Sequence, residues 1–365
     1  MVDVEVRLSV LQERLGPLAV DGLRRLTGGA SSLSYVGTAH VPAPAHEVVV
    51  KVAPAGLEPV RNRDVLRQSR AMKALRAAGV AVPEVLHEDA GAPPEVPPLF
   101  VMGFVSGTSL EPLFDREDGD GDVDPPAVVA ERMRDAARVM ASVHAHDPAA
   151  LGLTDEPRTS LADEVGRWAR LLDTVDPALA PGWPDVADAL VASQPAPWPA
   201  AVVHGDFRLG NLLAVGGEVT AIIDWEIWSL ADPRVDVGWF LINADPDTYQ
   251  RGTRYSGELP SPDELALVYV DALDRPLEDL AWFQALACFK STATWSLIVK
   301  HNRRRDDPDP VAEEIAPVLP ALLARAMSLL GYSRGMLASW SANLASAAAR
   351  SLGMCVVGKL SSTGL

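Results

Sequence analysis

The sequence predicts an α+β protein with two lobes, a small β-rich amino-terminal lobe and a larger, mainly helical carboxy-terminal lobe. Two observations support this prediction. Apolar runs typical of buried strands stand at 47–52 and 99–102, whereas segments with helical spacing of apolar residues stand at 127–145, 263–274 and 277–301. With 365 residues the chain is also long enough to form two separate cores.

The amino-terminal lobe is expected over residues 1–105, with a hinge near 102–107. A turn of small residues at 28–35 is bounded by strand-like segments. The other elements expected here are a helix at 5–16, strands at 47–52, 82–86 and 99–102, and a helix at 62–78 that Gly79 and Pro83 would end.

The carboxy-terminal lobe is expected over residues 106–331. Within it, Asp236 precedes an apolar helix from Val237 to Ile242, and we expect it either to cap this helix or to brace the loop before it. The tail at 332–365 contains no Asp or Glu and is rich in Ala, Ser and Gly, and we assign it no function.

Three oxygen-bearing side chains follow apolar runs in the middle of the chain. The run at 201–203 leads to Asp206 and, five residues later, to Asn211, and a second apolar run leads to Asp224. Gly216-Gly217 between them predicts a hairpin turn that joins two short strands. We therefore expect Asp206 and Asp224 at neighbouring points of one small sheet.

Two carboxylates and a carboxamide offer the oxygen ligands that suit Mg²⁺, which takes its remaining ligands from water and phosphates. The same order, an Asp, an Asn five residues on and a second Asp, occurs in the phosphoryl-transfer loop of protein kinases. Each fragment alone is commonplace, since His-Gly-Asp occurs in ordinary turns and Asp-Trp at strand ends. The order and spacing together predict a phosphoryl-transfer loop.

Lys51 lies among the valines of the strand at 47–52. Burying an ammonium group without a partner is costly, so this residue must be paired or used. A lysine on an edge strand that extends its amine to solvent is the alternative. Because Lys51 follows the small-residue turn and precedes a helix, we favour a role in binding phosphates.

Composition limits the function classes. The net charge of −17 argues against nonspecific binding to nucleic acid, which needs a cationic surface. The only two cysteines, Cys288 and Cys355, cannot form a disulfide framework or a cysteine metal site. No signal peptide or run of transmembrane length is evident. We therefore expect a cytoplasmic protein that binds no membrane and no obligate protein partner.

With these features in order, the chain resembles the aminoglycoside phosphotransferase family, in its broad bacterial phosphotransferase subgroup, which has a bilobal protein-kinase-like fold. The resemblance covers about residues 20–330. Its most specific motifs are His204-Gly205-Asp206 with Asn211, and Ile223-Asp224-Trp225-Glu226. Supporting motifs are Val50-Lys51-Val52, the loop at 28–35 and the stretch from Leu99 to Gly107.

The resemblance implies ATP and Mg²⁺ as cofactors and assigns roles to individual residues. Asp206 would orient and deprotonate the acceptor hydroxyl, and Arg208 would meet the transferred phosphate. Asn211 and Asp224 would hold Mg²⁺, and Lys51 the α- and β-phosphates. The other nucleotide contacts would be Gly29, Ser31 and Ser32 in the loop over the triphosphate, and Met102, Gly103 and Val105 beside adenine.

Gln68 is the main departure from the family pattern, because related sequences usually carry a Glu at this helix position, paired with the strand lysine. A neutral amide can hydrogen-bond Lys51 but gives no charge pair. Gly103 also stands where a Glu is frequent, which matters less because that contact is made by the backbone.

The implied reaction moves the γ-phosphoryl group of Mg-ATP to a hydroxyl of a small molecule. The acceptor could be aminoglycoside-like or another small alcohol. The stretch from Asp224 to Pro233 looks more like the broad bacterial phosphotransferases related to the kinase-like half of acyl-CoA dehydrogenase fusions. Because those include enzymes that phosphorylate hydroxyacyl-CoA, this resemblance adds hydroxyacyl-CoA as an acceptor. The alternative from another class is a catalytically weak, pseudokinase-like regulatory module that binds ATP. A metal hydrolase is disfavoured because no further His/Asp cluster supplies its site.

Overall fold

The computed structural model describes residues 8–26, 32–112, 115, 124–250 and 252–332. The chain forms two compact units. Unit 1 comprises Met1–Arg158, Ala200–Asp236 and Thr253–Arg275, and unit 2 comprises Thr159–Pro199, Val237–Gly252 and Pro276–Leu365. The predicted lobe boundary near residue 105 lies inside unit 1 and stays a prediction.

A five-stranded antiparallel sheet forms the first part of unit 1, in the order β1-β2-β3-β5-β4. Its strands are β1 (Val20–Arg25), β2 (Leu33–Ala39), β3 (His46–Val52), β4 (Val85–Asp89) and β5 (Leu99–Gly103). Strand β3 is central, and Val48, Val50 and Val52 are fully buried. Its register places Lys51 opposite Ser34 of β2 and Phe100 of β5.

Two helices accompany this sheet, α1 (Leu8–Arg14) and α2 (Val65–Ala77). Leu11 and Leu15 belong to the apolar core of the sheet and are fully buried. Helix α2 was expected from residue 62 but begins at Val65, because the Asp64 side chain accepts hydrogen bonds from the backbone N–H groups of Leu66 and Arg67.

The strands expected at 47–52 and 99–102 are confirmed. The segment expected at 82–86 forms a strand only from Val85, and β2 begins at Leu33, inside the turn expected at 28–35. The first helix is confirmed from Leu8 to Arg14, and its expected start at residue 5 lies outside the described residues.

Four short strands complete the sheets of unit 1, namely β6 (Ala201–Val203), β7 (Leu212–Val215), β8 (Glu218–Ile222) and β9 (Ser229–Ala231). The hairpin at Gly216-Gly217 is confirmed, with Gly216 at φ 58°. The expectation of one small sheet is wrong. Strand β7 pairs with β8, but β6 pairs with β9, which returns after Asp224 and is buried along its whole length.

The remaining helices are α3 (Pro126–His144), α4 (Leu161–Leu172), α5 (Trp183–Ala192), α6 (Arg234–Ala244), α7 (Pro262–Leu273), α8 (Leu280–Asn302), α9 (Pro310–Glu314) and α10 (Leu319–Leu329). In unit 1, α3 packs against α7. In unit 2, α4, α5 and α10 pack against α8. None of the helices in the described ranges is both long and apolar enough to cross a membrane.

Lys290 marks the interior of unit 2. This α8 residue is only 5% exposed, and its Nζ atom lies 3.9 Å from the centroid of the Trp239 ring and 5.5 Å from that of Trp168. A cation over an indole face is stabilised by the quadrupole of the ring, which offsets part of the cost of burial. Helix α8 therefore buries a charged side chain, followed directly by the buried polar residues Ser291 and Thr292.

Candidate active site

A buried carboxylate, that of Asp236, holds the start of the loop at 204–211, between β6 and β7. Asp236, 1% exposed, accepts hydrogen bonds from the backbone N–H of His204 at 2.6 Å and from that of Gly205 at 2.8 Å. Without this acceptor the two N–H groups would lose a charged partner inside the protein. Of the two roles expected for Asp236, bracing the loop is confirmed, whereas capping the following helix is wrong because α6 begins at Arg234 and Asp236 lies in its first turn.

Behind Asp236 lies a second layer of hydrogen bonds. His144 at the end of α3 places Nε2 3.4 Å from Asp236 Oδ2, and its Nδ1 lies 2.9 Å from the hydroxyl of Tyr269 on α7. Burial raises the pKa of Tyr269, with the negative charge of Asp236 adding to the effect, so its hydroxyl keeps its proton. The brace is thus fixed by two helices.

The His204 ring connects the loop to the residue before Asp224. Its Nδ1 accepts a hydrogen bond from the Asp206 N–H at 3.1 Å, so its proton is assigned to Nε2, which donates to the Ile223 carbonyl at 2.9 Å. The Ile223 N–H in turn donates to the Asn211 carbonyl at 3.0 Å. These bonds tie the loop that carries Asp206 to the residue before Asp224, although the two acids follow strands of different sheets.

Gly205 allows the close approach of these two segments. Its φ is 84°, in the left-handed region, and a Cβ atom at this position would lie 2.7 Å from the carbonyl oxygen of Ile227. Both facts require glycine here. The His-Gly-Asp motif therefore has a structural reason for its middle residue.

The Asp206 carboxylate is oriented by two neighbours. Its Oδ2 accepts a hydrogen bond from Asn211 Nδ2 at 2.8 Å, and its Oδ1 lies 3.3 Å from Arg208 Nε. The same Asn211 nitrogen donates to the Asp206 carbonyl at 2.8 Å, which directs the amide oxygen away from Asp206. With its side chain 27% exposed, Asp206 remains within reach of a bound molecule.

Glu111 is a site residue that the sequence gave no reason to select. Its Oε2 accepts hydrogen bonds from Arg208 NH1 at 3.0 Å and from the Gly210 N–H at 3.4 Å. Burial raises the pKa of Glu111, although the Arg208 guanidinium opposes this effect. Arg208 thus contacts two carboxylates, those of Asp206 and Glu111. Glu111 ties both Arg208 and the end of the loop to the segment that follows β5.

Lys51 and Asp224 meet, as the phosphate interpretation requires. Lys51 is 8% exposed and its Nζ lies 2.9 Å from Asp224 Oδ1. The same Nζ lies 3.4 Å from Gln68 Oε1 and 3.5 Å from Glu226 Oε1. The expected contact with Gln68 is confirmed at a distance typical of a weak hydrogen bond. The sequence did not single out Glu226 as a partner of Lys51, although it lies in the quoted motif.

Asp224 has an uncommon backbone conformation. Its φ of 66° and ψ of 54° are left-handed, a region in which Asp and Asn are the non-glycine residues most readily accepted. Its side chain is 42% exposed. The turn directs one carboxylate oxygen to Lys51 and leaves the group open to solvent.

A reciprocal contact joins α2 to the segment after Asp224. The Arg67 guanidinium lies 4.3 Å from the ring centroid of Trp228 and donates to the Trp228 carbonyl at 2.7 Å, while Trp228 Nε1 donates to the Arg67 carbonyl at 3.1 Å. Arg67 Nε also donates to Glu156 at 2.6 Å. These contacts fix α2 against the segment after Asp224, and they do not require a charged residue at position 68.

The structure describes some, but not all, of the residues expected around the nucleotide. Gly29 and Ser31 lie outside the described residues, whereas Ser32 is described and its Oγ donates to Glu226 Oε1 at 3.1 Å. In β5, Met102 is half-buried opposite Val49 of β3.

The two other residues expected beside adenine are Gly103 and Val105. The Gly103 N–H already donates to the Glu84 carbonyl at 2.9 Å, so it is not available as a donor to a base. Val105 is half-buried after the end of β5. The proposed contacts of Met102, Gly103 and Val105 with adenine stay predictions.

The donor set fits a magnesium–triphosphate group. Lys51 offers a buried cation, and Asn211 and Asp224 offer oxygen ligands. Among the described residues, no group of three or more His, Cys, Asp or Glu could hold a metal ion alone. A divalent cation here would therefore need further oxygen ligands from phosphates and water, which is the usual manner in which proteins bind Mg²⁺.

A profile of the phosphotransferase enzyme family matches residues 22–268. The chain is also 27% identical over 203 residues to acyl-CoA dehydrogenase family member 10 of the mouse, Mus musculus, in a match that spans 53% of this chain and 18% of the mouse protein. The chain therefore corresponds to less than a fifth of the length of that relative.

Two solved structures illustrate the structural likeness. A candidate aminoglycoside phosphotransferase from Ralstonia eutropha superposes with a TM-score of 0.67 at 20% identity, over 88% of this chain and 98% of its own. Spectinomycin phosphotransferase, in complex with ADP and spectinomycin, gives a TM-score of 0.56 at 11% identity, also over 88% and 98%. The α+β, protein-kinase-like fold expected from the sequence is confirmed.

Proposed function

This chain belongs to the phosphotransferase enzyme family, and from that premise we propose that it transfers the γ-phosphoryl group of ATP, with Mg²⁺, to a hydroxyl group of a small molecule. One observation carries the proposal. Lys51 Nζ lies 2.9 Å from Asp224 Oδ1 although 173 positions separate them in the chain. A buried ammonium beside a half-exposed carboxylate suits a phosphate chain on one side and its divalent cation on the other.

Asp206 is the residue proposed to face the acceptor. Its carboxylate would accept a hydrogen bond from the acceptor hydroxyl and aim its oxygen, and the proton can pass to Asp206 late in the reaction. Catalysis in such reactions is mainly positioning, so a fixed carboxylate matters more than a strong base. Asn211 and Arg208, which contact the two oxygens of Asp206, fix it in that position.

The nucleotide would be held by residues from the five-stranded sheet and from the loop at 204–211, and by Asp224. Lys51 would bind the α- and β-phosphates, and Asn211 and Asp224 would ligate Mg²⁺. When bound, Mg-ATP supplies the phosphoryl group, and its cation neutralises the charge that develops during transfer. Ser32, Met102, Gly103 and Val105 are proposed nucleotide contacts, together with Gly29 and Ser31. Arg208 stays a candidate contact of the transferred phosphate, with Glu111 holding its guanidinium.

Two classes of acceptor are proposed, each supported by a different relative. The structures with a similar fold include a spectinomycin phosphotransferase, which supports an aminoglycoside-like acceptor. The likeness to part of the mouse acyl-CoA dehydrogenase relative favours a hydroxyacyl thioester instead. Both acceptors carry the hydroxyl that Asp206 would orient.

The test is a phosphorylation assay on a panel of hydroxyl compounds. The purified chain would be incubated with Mg-ATP and with aminoglycosides, hydroxyacyl-CoA thioesters, amino alcohols or sugars, and each product mixture examined for the mass gain of one phosphate. Asp206→Asn is the inactive control, and Glu218→Gln, at an exposed strand position, is the matched control for loss of one charge. We expect at least one class to be phosphorylated in a manner that requires Asp206.

The competing function is a weak, ATP-binding regulatory module, for which the neutral Gln68 is the specific observation. This alternative predicts that Mg-ATP raises the unfolding temperature of the protein while no acceptor gains phosphate. Slow, Mg²⁺-dependent hydrolysis of ATP that is lost in Asp224→Asn would instead support the enzyme.

A further inference from the structure

We propose that Glu226 is the resident counter-ion of Lys51, a positioning residue that keeps the Lys51 ammonium in place when Asp224 is engaged by a metal ion. This inference rests on the proposed function for the part that concerns Mg-ATP. Its structural part concerns only Lys51 and its neighbours in the free protein.

The starting point is the charge balance around a buried ammonium. Three oxygens of described residues lie within 3.5 Å of Lys51 Nζ, and they come from Asp224, Gln68 and Glu226. The Gln68 amide is neutral, so it can accept a hydrogen bond but cannot balance the charge. Within the part of the chain that the structure describes, Asp224 and Glu226 are therefore the anions that contact the Lys51 ammonium and stabilise it.

These two carboxylates differ in their availability to a ligand. The Asp224 side chain is 42% exposed, whereas that of Glu226 is 14% exposed. In the proposed function Asp224 shares its charge with a divalent cation, which weakens its attraction for Lys51. Glu226 is then the carboxylate left to keep Lys51 from turning away, because a buried cation without a counter-charge is strongly destabilised.

Glu226 is itself fixed. Its Oε1 accepts the hydroxyl hydrogen bond of Ser32 at 3.1 Å, on the side of β2. Residues Trp225–Ile227 form a single 3₁₀ turn, and the buried Trp225 ring donates to the Ile222 carbonyl at 3.0 Å. A carboxylate on a fixed turn that also accepts a hydrogen bond from the residue before β2 can direct an ammonium, which a mobile carboxylate cannot.

Gln68 makes a sharp test available. Its Oε1 already lies 3.4 Å from Lys51 Nζ, so Gln68→Glu would place a carboxylate within reach of the same ammonium with little change in shape. If Glu226 acts through its charge, Glu226→Gln should be rescued by Gln68→Glu. If Glu226 acts only by packing or through the Ser32 hydrogen bond, which a Gln keeps, the second substitution should change nothing.

The first measurement uses the free protein. An amine-acylating reagent is applied without nucleotide, and acylation of Lys51 is followed by peptide mass spectrometry. The comparison is made in an Asp224→Asn background, in which Asp224 no longer offers Lys51 a charge. In this background we expect Glu226→Gln to raise the Lys51 acylation rate about tenfold, the factor that corresponds to one hydrogen bond to a charged group. Adding Gln68→Glu should return the rate to that of Asp224→Asn alone, and Glu218→Gln should leave it unchanged. An unchanged rate on adding Glu226→Gln to Asp224→Asn would overturn the proposal.

The second measurement uses Mg-ATP. We expect Glu226→Gln to weaken the Kd for Mg-ATP about tenfold, with recovery in the double variant, and to leave the Mg²⁺ concentration for half-maximal binding unchanged. A raised Mg²⁺ requirement without recovery by Gln68→Glu would make Glu226 a metal ligand and overturn the proposal. A wild-type protein that binds no Mg-ATP would contradict the proposed function, while the acylation rates would still decide the role of Glu226.

Discussion

The loop at 204–211 and the segment at 223–228 carry the two candidate carboxylates, and they are stabilised in opposite ways. The loop rests on Asp236, which is 1% exposed and accepts two backbone N–H groups. The segment begins at Asp224, which has a left-handed backbone and a side chain that is 42% exposed. The loop is supported by a buried carboxylate and exposes 27% of the Asp206 side chain, whereas the segment exposes more of its own candidate carboxylate, Asp224.

This difference indicates a division of work. A residue that must aim a reacting group benefits from a rigid support, because small displacements are costly in catalysis. A residue that must receive a hydrated cation benefits from exposure, because Mg²⁺ keeps some of its water. We expect substitutions in the loop to affect turnover or folding, and substitutions in the segment to affect ligand binding.

The largest effect is expected for Asp206→Asn. The substitution keeps the shape of the side chain but removes the carboxylate that would aim and accept the acceptor proton. Turnover should fall about a thousandfold, in the range found when a positioned base is removed, while the Kd for Mg-ATP stays within about twofold. Steady-state kinetics and calorimetric titration would measure the two quantities. Near-normal turnover at saturating acceptor would remove Asp206 from this role.

A large loss of stability is expected for Asp236→Ala. Two N–H groups at the start of the loop would lose a buried, charged acceptor, so the free energy of unfolding should fall by about 3 kcal/mol. Asp236→Asn keeps one acceptor oxygen and should lose about half as much. Urea denaturation followed by circular dichroism measures both variants. A loss under about 1 kcal/mol in Asp236→Ala would mean that the loop does not depend on this brace.

A smaller effect on stability is expected for Asp224→Asn. Asparagine tolerates the left-handed backbone, and the carboxylate is exposed enough for solvent to screen its pairing with Lys51, so unfolding should change by less than about 1 kcal/mol. The same variant should lose the rise in Tm that Mg-ATP produces in the wild type. Thermal unfolding with and without Mg-ATP tests both points, with Asp224→Ala as the variant that adds backbone strain.

The smallest effect is a pH dependence at Glu111, which anchors the far end of the loop. Burial raises the pKa of Glu111 above the value of about 4.3 expected in the unfolded chain, so the folded protein binds this proton more tightly. The stability that this proton contributes is complete below the unfolded pKa and is lost as pH rises through the folded pKa. Wild type should therefore lose stability relative to Glu111→Gln as pH rises from about 4. Parallel curves for the two proteins would contradict this.

Much of the site could be predicted because its residues lie in short, ordered motifs. Asp206, Asn211 and Asp224 follow apolar strands at fixed spacing, and Lys51 is an isolated cation among valines. Glu226 and Glu111 could not be selected in the same way. Their importance comes from partners at least 97 positions away, and no local pattern encodes such contacts.

The pairing of the strands could likewise be predicted only where a local turn signal was present. The hairpin at Gly216-Gly217 has a local turn signal and was correctly predicted, whereas the pairing of β6 with β9 joins strands that no short turn connects. Helix α4 is a different case, because Ser160 and Asp163 form a capping box before its amphipathic run, a signal that is readable in the sequence. It was missed, although the information was present.

The stacked pair of Arg67 and Trp228 has a consequence for how the protein could be controlled. An outward swing of α2 would break two hydrogen bonds to main-chain carbonyls, the ring contact and the ion pair with Glu156 together. These contacts would be lost together, since each of them involves Arg67 or Trp228. Any regulation that displaced α2 would therefore have to act on the turn that bears Trp228 at the same time.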